Sequence, residues 1–550
     1  MLIALAEHGP LPNIRPSMEN LEVPLITLRD RLCKTMLSQL TKPAPAPEFS
    51  VRRLISMGCM PLILRFFVRP EKPTHFFDLS KQHQMITTLV LHRVALQASA
   101  KGPEVVFHEA VLLYLAYQVQ NNYLEMVEGG LARLSEEDVP LFFLSTQAAC
   151  LALATLANNR SPDNAREQVQ YTLETTSAIN EVVQLLAYPQ EKMDVLYRHK
   201  MECVGAAATL IAAICPRPMT ELVPEAQLES VQSEREAAAL CLPVLEELVA
   251  VAAKPLLSIL GGCDSRPVKA AACMALARLA STNETTQTIM EEHGAARVVA
   301  GLVPHRPAKP SSFAVPADVQ RTLEKDVAQM TALSSSFFRF VSCLARLPDG
   351  QQAIQTFGVL RRAVERMDMG GYTHQDVAAR TEIAMLLARM ANKHSVEFGS
   401  TNDLLLGAKQ KVLPRLVEML SPRYSRRARF HAAYAIRCLG DDVMRAVPCI
   451  IDNEALMPLV SIIAEEKIPH PLLREALVTV KDVAKFPGTP YTARLVECGA
   501  LHALQHIGSD LRIDKPYAGM SDRIGLGDVA REALSIVSDV NDALIAGKAQ

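Results

Sequence analysis

The stretch PVKAAACMALARL, Pro267–Leu279, decides the fold. Its apolar residues Val268, Ala271, Ala272, Ala275, Leu276 and Leu279 fall at i, i+3, i+4, i+7, i+8 and i+11, which is one face of an α-helix. Pro267 suits the first helical turn, and Asp264 and Ser265 stand where a cap is needed. After Ala280 the segment STNETTQTIMEEHG supplies a polar turn and a short helix. Gly294 then breaks the chain, and AARVVAGLVP reads as a further apolar helix.

The same order recurs elsewhere. LISMGCMPLILRFF breaks at Gly58, AIQTFGVLRRAVERM at Gly358 and RLVECGALHALQHIG at Gly499, each with a short helix before the glycine and an apolar one after it. In IIDNEALMPLVSII, Asn453 is expected at the glycine position, because Asn also tolerates left-handed backbone. The long helices repeat as VLHRVA, ALATLA, LIAAIC, ALARLA, CLARLP, LLARMA, AIRCLG, TVKDVA and ALSIVS. Aligning their fourth residues gives Arg93, Thr155, Ala213, Arg278, Arg346, Arg389, Cys438, Asp482 and Ile536, separated by between 43 and 68 residues. The shortest separations set the repeat period, and the longer ones require insertions. Proline-rich stretches that cannot continue a helix supply them: VRPEKPTH from Val68, PRPMTELVP from Pro216 and PHRPAKPSSFAVP from Pro304.

Composition agrees. Of 550 residues, 49% are hydrophobic and 21% charged, with a formal net charge of −2, so the chain is core-forming and not a polybasic nucleic-acid binder. Aromatics make up 5% and Trp is absent, which favours closely packed helices over an aromatic-rich β-sandwich. The twelve cysteines are scattered through Ala/Leu-rich stretches without a CxxC, so buried reduced thiols in a reducing compartment are expected. The N-terminal stretch MLIALAEHGPLPN has no basic flank, and its apolar run is too short for a secretory signal. No stretch is expected to reach the ~20 apolar residues of a membrane span.

With the PLLSIL-type helix, the AAxxALxxLA helix, the polar Asn-containing turn and the EEHGA-type link, the chain resembles the armadillo repeat family. The best copies are Ala253–Val303 and Lys409–Ile463, and weaker ones run from about Ser50 to the C-terminus. The resemblance implies an all-α, armadillo/HEAT-like right-handed α-solenoid of about nine repeats over residues 49–550, with proline-rich insertions between repeats. Residues 1–48 lie outside it. There, LITLRDRLCKTMLSQL from Leu25 reads as one amphipathic helix and KPAPAPE as a stiff connector. A cap over the first repeat is the preferred role, and a free partner-binding helix the alternative.

Catalytic motifs are sparse. GxxxxGK[ST], HExxH and GxSxG are missing from the sequence, so no cofactor, metal or small-molecule substrate is expected. In GLGD, Gly525–Asp528, Asp528 is read as an N-cap and not as part of a phosphate loop. His502 and His506 share a helix face, but no third metal ligand is near them in sequence.

The remaining chemistry is surface charge. In armadillo arrays the third helix of each repeat lines a concave groove, and the aligned position is commonly Asn in peptide-binding members. Here Arg93, Arg278, Arg346 and Arg389 occupy it, and Arg437 and Lys481 lie one position earlier in later helices. Arg423, Arg426, Arg427 and Arg429 form a second cluster at a helix start, where cations oppose the macrodipole. Either set could bind carboxylates or phosphorylated side chains through charge-assisted hydrogen bonds, or could be spent on local pairing with Asp and Glu. The missing Trp and Asn disfavour a nuclear-import adaptor, whose resemblance group clamps lysine stems with indoles. The expectation is a non-catalytic cytoplasmic scaffold binding an extended, acidic or phosphorylated protein segment, in a cytoskeletal or ciliary assembly. An armadillo-type chaperone or nucleotide-exchange factor for a GTPase is the alternative, separable by a nucleotide-release assay. The segment Ile507–Gly527 is a candidate groove plug.

Overall fold

The computed structural model describes residues 81–98, 109–128, 134, 138–158, 164–187, 196–215, 231–302, 317–368, 374–391, 412–439, 443–465, 468, 470–486, 489–509 and 526–548. The expected capping helix at 25–40, its connector, the three proline-rich stretches and most of the candidate plug lie outside these residues. Every described element is a helix. The chain packs as two compact units, one formed by residues 1–215 and 254–275, the other by 216–253 and 276–550.

The first unit holds α1 (Lys81–Ala98), α2 (Glu109–Val127), α3 (Asp138–Ala157), α4 (Ala165–Thr175), α5 (Ala178–Leu186) and α6 (Tyr197–Ile214). Its boundaries with the second fall inside α7 (Val231–Gly262) and α8 (Arg266–Leu279). Helix α3 packs on α1, α2, α4 and α6, and buries Phe142, Phe143, Leu153 and Leu156. Burial of each such side chain is worth about 2 kcal/mol. This helix corrects one expectation, because its 20 residues are long and apolar enough to cross a membrane. Its buried side chains and the four helices around it account for that apolarity as a core helix's. On α6, Gly205 lets α8 approach until a Cβ there would meet Val268 Cγ2 at 3.2 Å.

The second unit continues with α9 (Asn283–Glu291), α10 (Ala295–Leu302), α11 (Ala317–Leu344), α12 (Pro348–Thr356), α13 (Val359–Asp368) and α14 (His374–Ala391). It ends with α15 (Val412–Met419), α16 (Arg426–Leu439), α17 (Val443–Asp452), α18 (Leu456–Ala464), α19 (His470–Lys485), α20 (Thr489–Glu497), α21 (Ala500–Ser509) and α22 (Leu526–Lys548). The pattern is short helix, tight turn, short helix, long helix. It is seen in α9–α11, α12–α14, α17–α19 and α20–α22, and in the first unit in α4–α6. The aligned residues lie inside helices that pack as the long members of their repeats, except Arg346, which stands two residues past the end of α11. Those of the second unit lie side by side: α11 packs on α14, α14 on α16, α16 on α19 and α19 on α22.

Local chemistry sets the joints. Thr282 caps α9, its hydroxyl accepting from Thr285 N at 3.2 Å while Thr285 Oγ1 accepts from Thr282 N at 3.4 Å. Gly294, Gly358 and Gly499 turn the chain at φ of +67°, +67° and +81°. In the fourth link the left-handed residue is Glu454, at φ 58°, and not Asn453 as the sequence suggested. Asn453 is the last residue of the preceding turn, its Nδ2 donating to the Cys449 carbonyl at 2.7 Å. Ser177 fills the same place between α4 and α5 at φ 59°. Asp528 likewise differs from expectation: it lies inside the first turn of α22 and pairs with Arg531 at 2.5 Å.

Candidate functional site

The candidate surface is the face of the long helices in the second unit. On α16 the half-exposed residues Arg427, Phe430, Tyr434 and Arg437 recur at three- and four-residue steps, so they form one stripe. Phe430 and Tyr434 stack in parallel with ring centroids 6.1 Å apart, and the Arg437 guanidinium sits 5.2 Å from the Tyr434 ring centroid. Arg339 and Arg346 at the end of α11, Arg389 on α14, and Arg474, Lys481 and Lys485 on α19 extend the stripe on the neighbouring helices.

Most of these cations reach across to the next long helix. Arg427 pairs with Glu382 of α14 at 2.5 Å, and Arg437 with Glu475 of α19. Lys485 pairs with Glu532 of α22, and Lys481 stands 3.8 Å from the same carboxylate. Burial works against the charge on Arg437, but the adjacent Glu475 carboxylate outweighs it and raises the guanidinium above its usual pKa. Glu382 and Glu475 are both buried, so each needs its arginine, because an unpaired buried carboxylate costs several kcal/mol.

Two arginines behave differently. Arg346 Nη1 donates to the carbonyls of Ala280 and Ser281, at 3.1 and 2.5 Å, just past the end of α8. Arg389 Nη1 donates to the Ser342 carbonyl in the last turn of α11, and to Ser342 Oγ at 3.3 Å. Cations are favoured at helix C-termini, so both serve as caps supplied by the following repeat. Neither has a carboxylate partner among the described residues. Burial, and then the nearby Arg346 charge, lowers the Arg389 pKa.

The other predicted residues are placed as follows. Arg93 lies in α1, and its side chain is outside the described set. Arg278 is half-buried one residue before the end of α8. The Arg423–Arg429 cluster does not form one patch. Arg423 lies in the turn before α16, 2.8 Å from Glu418 of α15 and over the Tyr424 ring at 5.1 Å. Burial tends to raise the Glu418 pKa, but hydrogen bonds from Tyr424 and Arg415 overcome it and hold the carboxyl below its usual value. Arg426 is exposed at the start of α16. Arg429 is only 3% exposed, donating to the Leu420 carbonyl at 3.0 Å and to Glu465 at 2.7 Å, so it cannot reach a partner. The macrodipole conflict expected of this cluster is relieved from within, by Glu418, Glu382 and Glu465.

Sequence reasoning missed a second row, two helical turns before the aligned position: Arg339, Glu382, His431 and Glu475. His431 is buried, and its Nδ1 donates to the Thr381 carbonyl at 3.0 Å. Burial, with Arg427 beside it, pushes its pKa down to about 3, so it is neutral at physiological pH. Reading the same register position in every repeat would have found this row. His502 and His506 are both exposed, and among the described residues no group of three His, Cys, Asp or Glu side chains could hold a metal. Seven of the nine described cysteines are buried, and all nine are free thiols.

No protein-family model matches the chain, and no curated protein does either. Among solved structures, an engineered protein superposes on 94% of this chain and 98% of its own, with a TM-score of 0.52 at 16% identity. This chain has an armadillo-like repeat fold. Designed armadillo repeat proteins also match, over shorter spans. One covers 51% of this chain with a TM-score of 0.37 at 17% identity, and another, solved in complex with the peptide (KR)4, covers 51% with a TM-score of 0.35 at 19% identity.

Proposed function

We propose that this chain is a non-catalytic scaffold that binds an extended, acidic segment of a partner protein along the long-helix face of its second unit. The carrying observation is the charge on that face. From α11 to α19 the half-exposed or exposed stripe residues include eight cations (Arg339, Arg346, Arg389, Arg427, Arg437, Arg474, Lys481 and Lys485), whereas Glu382 and Glu475 are buried beneath, and the half-exposed Asp482 and the exposed Glu532 of α22, which meets Lys481 and Lys485, offset only part of that charge. A surface with this excess attracts anionic segments and repels basic ones. The stacked Phe430 and Tyr434 add an apolar step on which a side chain of the segment can rest.

Titrating the full chain with labelled acidic, neutral and basic octapeptides tests the reading by fluorescence anisotropy. The acidic peptide should bind, with affinity falling as salt rises, and the basic one should not. Equal binding of all three would remove charge from the account. A cytoplasmic setting, in a cytoskeletal or ciliary assembly, belongs to the same proposal and rests on the family resemblance. Imaging a tagged chain checks it.

A further inference from the structure

Charge on the long-helix face is unevenly compensated. Arg427, Arg437 and Lys485 each have a carboxylate on the next long helix. Arg346 and Arg389 have no carboxylate among the described residues: Arg346 meets two backbone carbonyls, and Arg389 the Ser342 carbonyl, the Ser342 hydroxyl and the Cys343 sulfur. Arg346 keeps Nε and Nη2 without an acceptor among the described residues, and both arginines are half-buried, with part of each side chain open to solvent. The two guanidinium groups sit close enough for Arg346 to weaken the protonation of Arg389, with the Tyr434 ring of α16 also within electrostatic reach of Arg389. The carbonyl bonds fix both forks in place, so an incoming anion would meet donors already oriented.

Building on the acidic-segment reading, we propose that Arg346 and Arg389 form its anchor: one anionic group of the partner, a carboxylate or a phosphorylated side chain, is held between them. The ion-paired remainder of the face then contributes shape and a weak background field. Affinity therefore concentrates on two residues, and the partner needs one well-placed anion more than a long acidic run.

The test uses the full chain and two labelled probes, an all-glutamate octapeptide and a Gly/Ser octapeptide carrying a single phosphoserine. Binding is measured for the wild type, for Arg346→Lys/Arg389→Lys, for Arg346→Gln/Arg389→Gln, and for the control Lys481→Gln/Lys485→Gln, whose shared carboxylate Glu532 is solvent-exposed and tolerates their loss. The anchor predicts a loss of about ten-fold or more for the first Gln pair, a smaller loss for the Lys pair, and under about three-fold for the control. Whichever probe shows that order identifies the anion as carboxylate or phosphate. Because both arginines also cap helices, each variant is melted, and the Arg346 and Arg389 Nε–H resonances are followed in the wild type. They should shift on probe addition, which a purely structural role would not cause. Equal losses for the two Gln pairs, or unmoved resonances, would overturn the anchor and leave the acidic-segment reading standing. A wild type that binds neither probe would overturn both.

Discussion

The two units close the seams between their helices with different chemistry. In the first, Asn122 of α2 donates to Ser145 Oγ and Thr146 Oγ1 of α3, at 3.2 and 2.9 Å, and Cys203 Sγ of α6 meets the Phe143 carbonyl at 3.2 Å. Its long-helix face is correspondingly neutral: Leu144, Gln147, Leu151 and Thr155 on α3, and Glu202, paired locally with Arg198, on α6. In the second, the seams are ionic, with Glu382–Arg427, Arg437–Glu475 and Lys485–Glu532 spanning successive long helices. One repeat grammar thus tolerates both solutions. The ionic one leaves guanidinium groups on successive long helices, so the binding face follows from how the seam is closed.

The contrast can be broken at its glycines. A Cβ at Gly350 of α12 would stand 2.0 Å from the Leu344 carbonyl oxygen, against backbone that cannot yield. Gly350→Ala should therefore cost about 3 kcal/mol or more. At Gly205 in the first unit the nearest atom is a valine methyl at 3.2 Å. Gly205→Ala should stay within about 1 kcal/mol of wild type, because gained helix propensity offsets the crowding. Chemical denaturation read by hydrogen exchange in each unit separates the two. Similar losses would show that helix-to-helix spacing is no tighter in one unit than in the other.

Acid should act on the second unit first. His431 has a folded pKa of about 3, against 6.5 when exposed. Unfolding therefore takes up a proton below pH 6.5, and stability that is complete above 6.5 is lost as pH falls towards 3. The slope is about 1.4 kcal/mol per pH unit. His431→Asn, which keeps a donor for the Thr381 carbonyl, should flatten that slope in α14 and α16 without changing it in α3. An unchanged slope would assign the acid response to other groups.

Single seam residues come next. Glu475→Ala leaves Arg437 without its carboxylate and should cost about 2 kcal/mol, a penalty that shrinks in high salt. Asn122→Ala should cost about 1–2 kcal/mol irrespective of salt. Identical salt responses would erase the distinction between the seams. The smallest effect is expected at the left-handed turns, where Ser177→Gly and Glu454→Gly should each stabilise their own unit by about 0.5–1 kcal/mol, measured by thermal melting.

The long helices were legible in sequence because their small-residue pattern is local: ALARLA and LLARMA each declare a helix within two turns. The turn residue was harder. Asn453 and Glu454 are adjacent, and propensity favours Asn, yet the register of the following helix places Glu454 in the left-handed position. The arginines were identified, but their partners were not. Arg346 bonds a carbonyl 66 residues away and Arg437 a carboxylate 38 residues away, separations that no local pattern encodes. Arg429 shows the same limit from the other side, since a residue that reads as part of an exposed basic cluster is drawn inside by Glu465 and the Leu420 carbonyl.

The central claim is that the acidic segment lies on the ionic seam of the second unit and leaves the neutral face of the first untouched. Hydrogen–deuterium exchange of the full chain with and without the all-glutamate octapeptide tests it directly. Protection confined to α11, α14, α16 and α19 is the predicted result. Protection of α3 and α6 with those helices unchanged would contradict it.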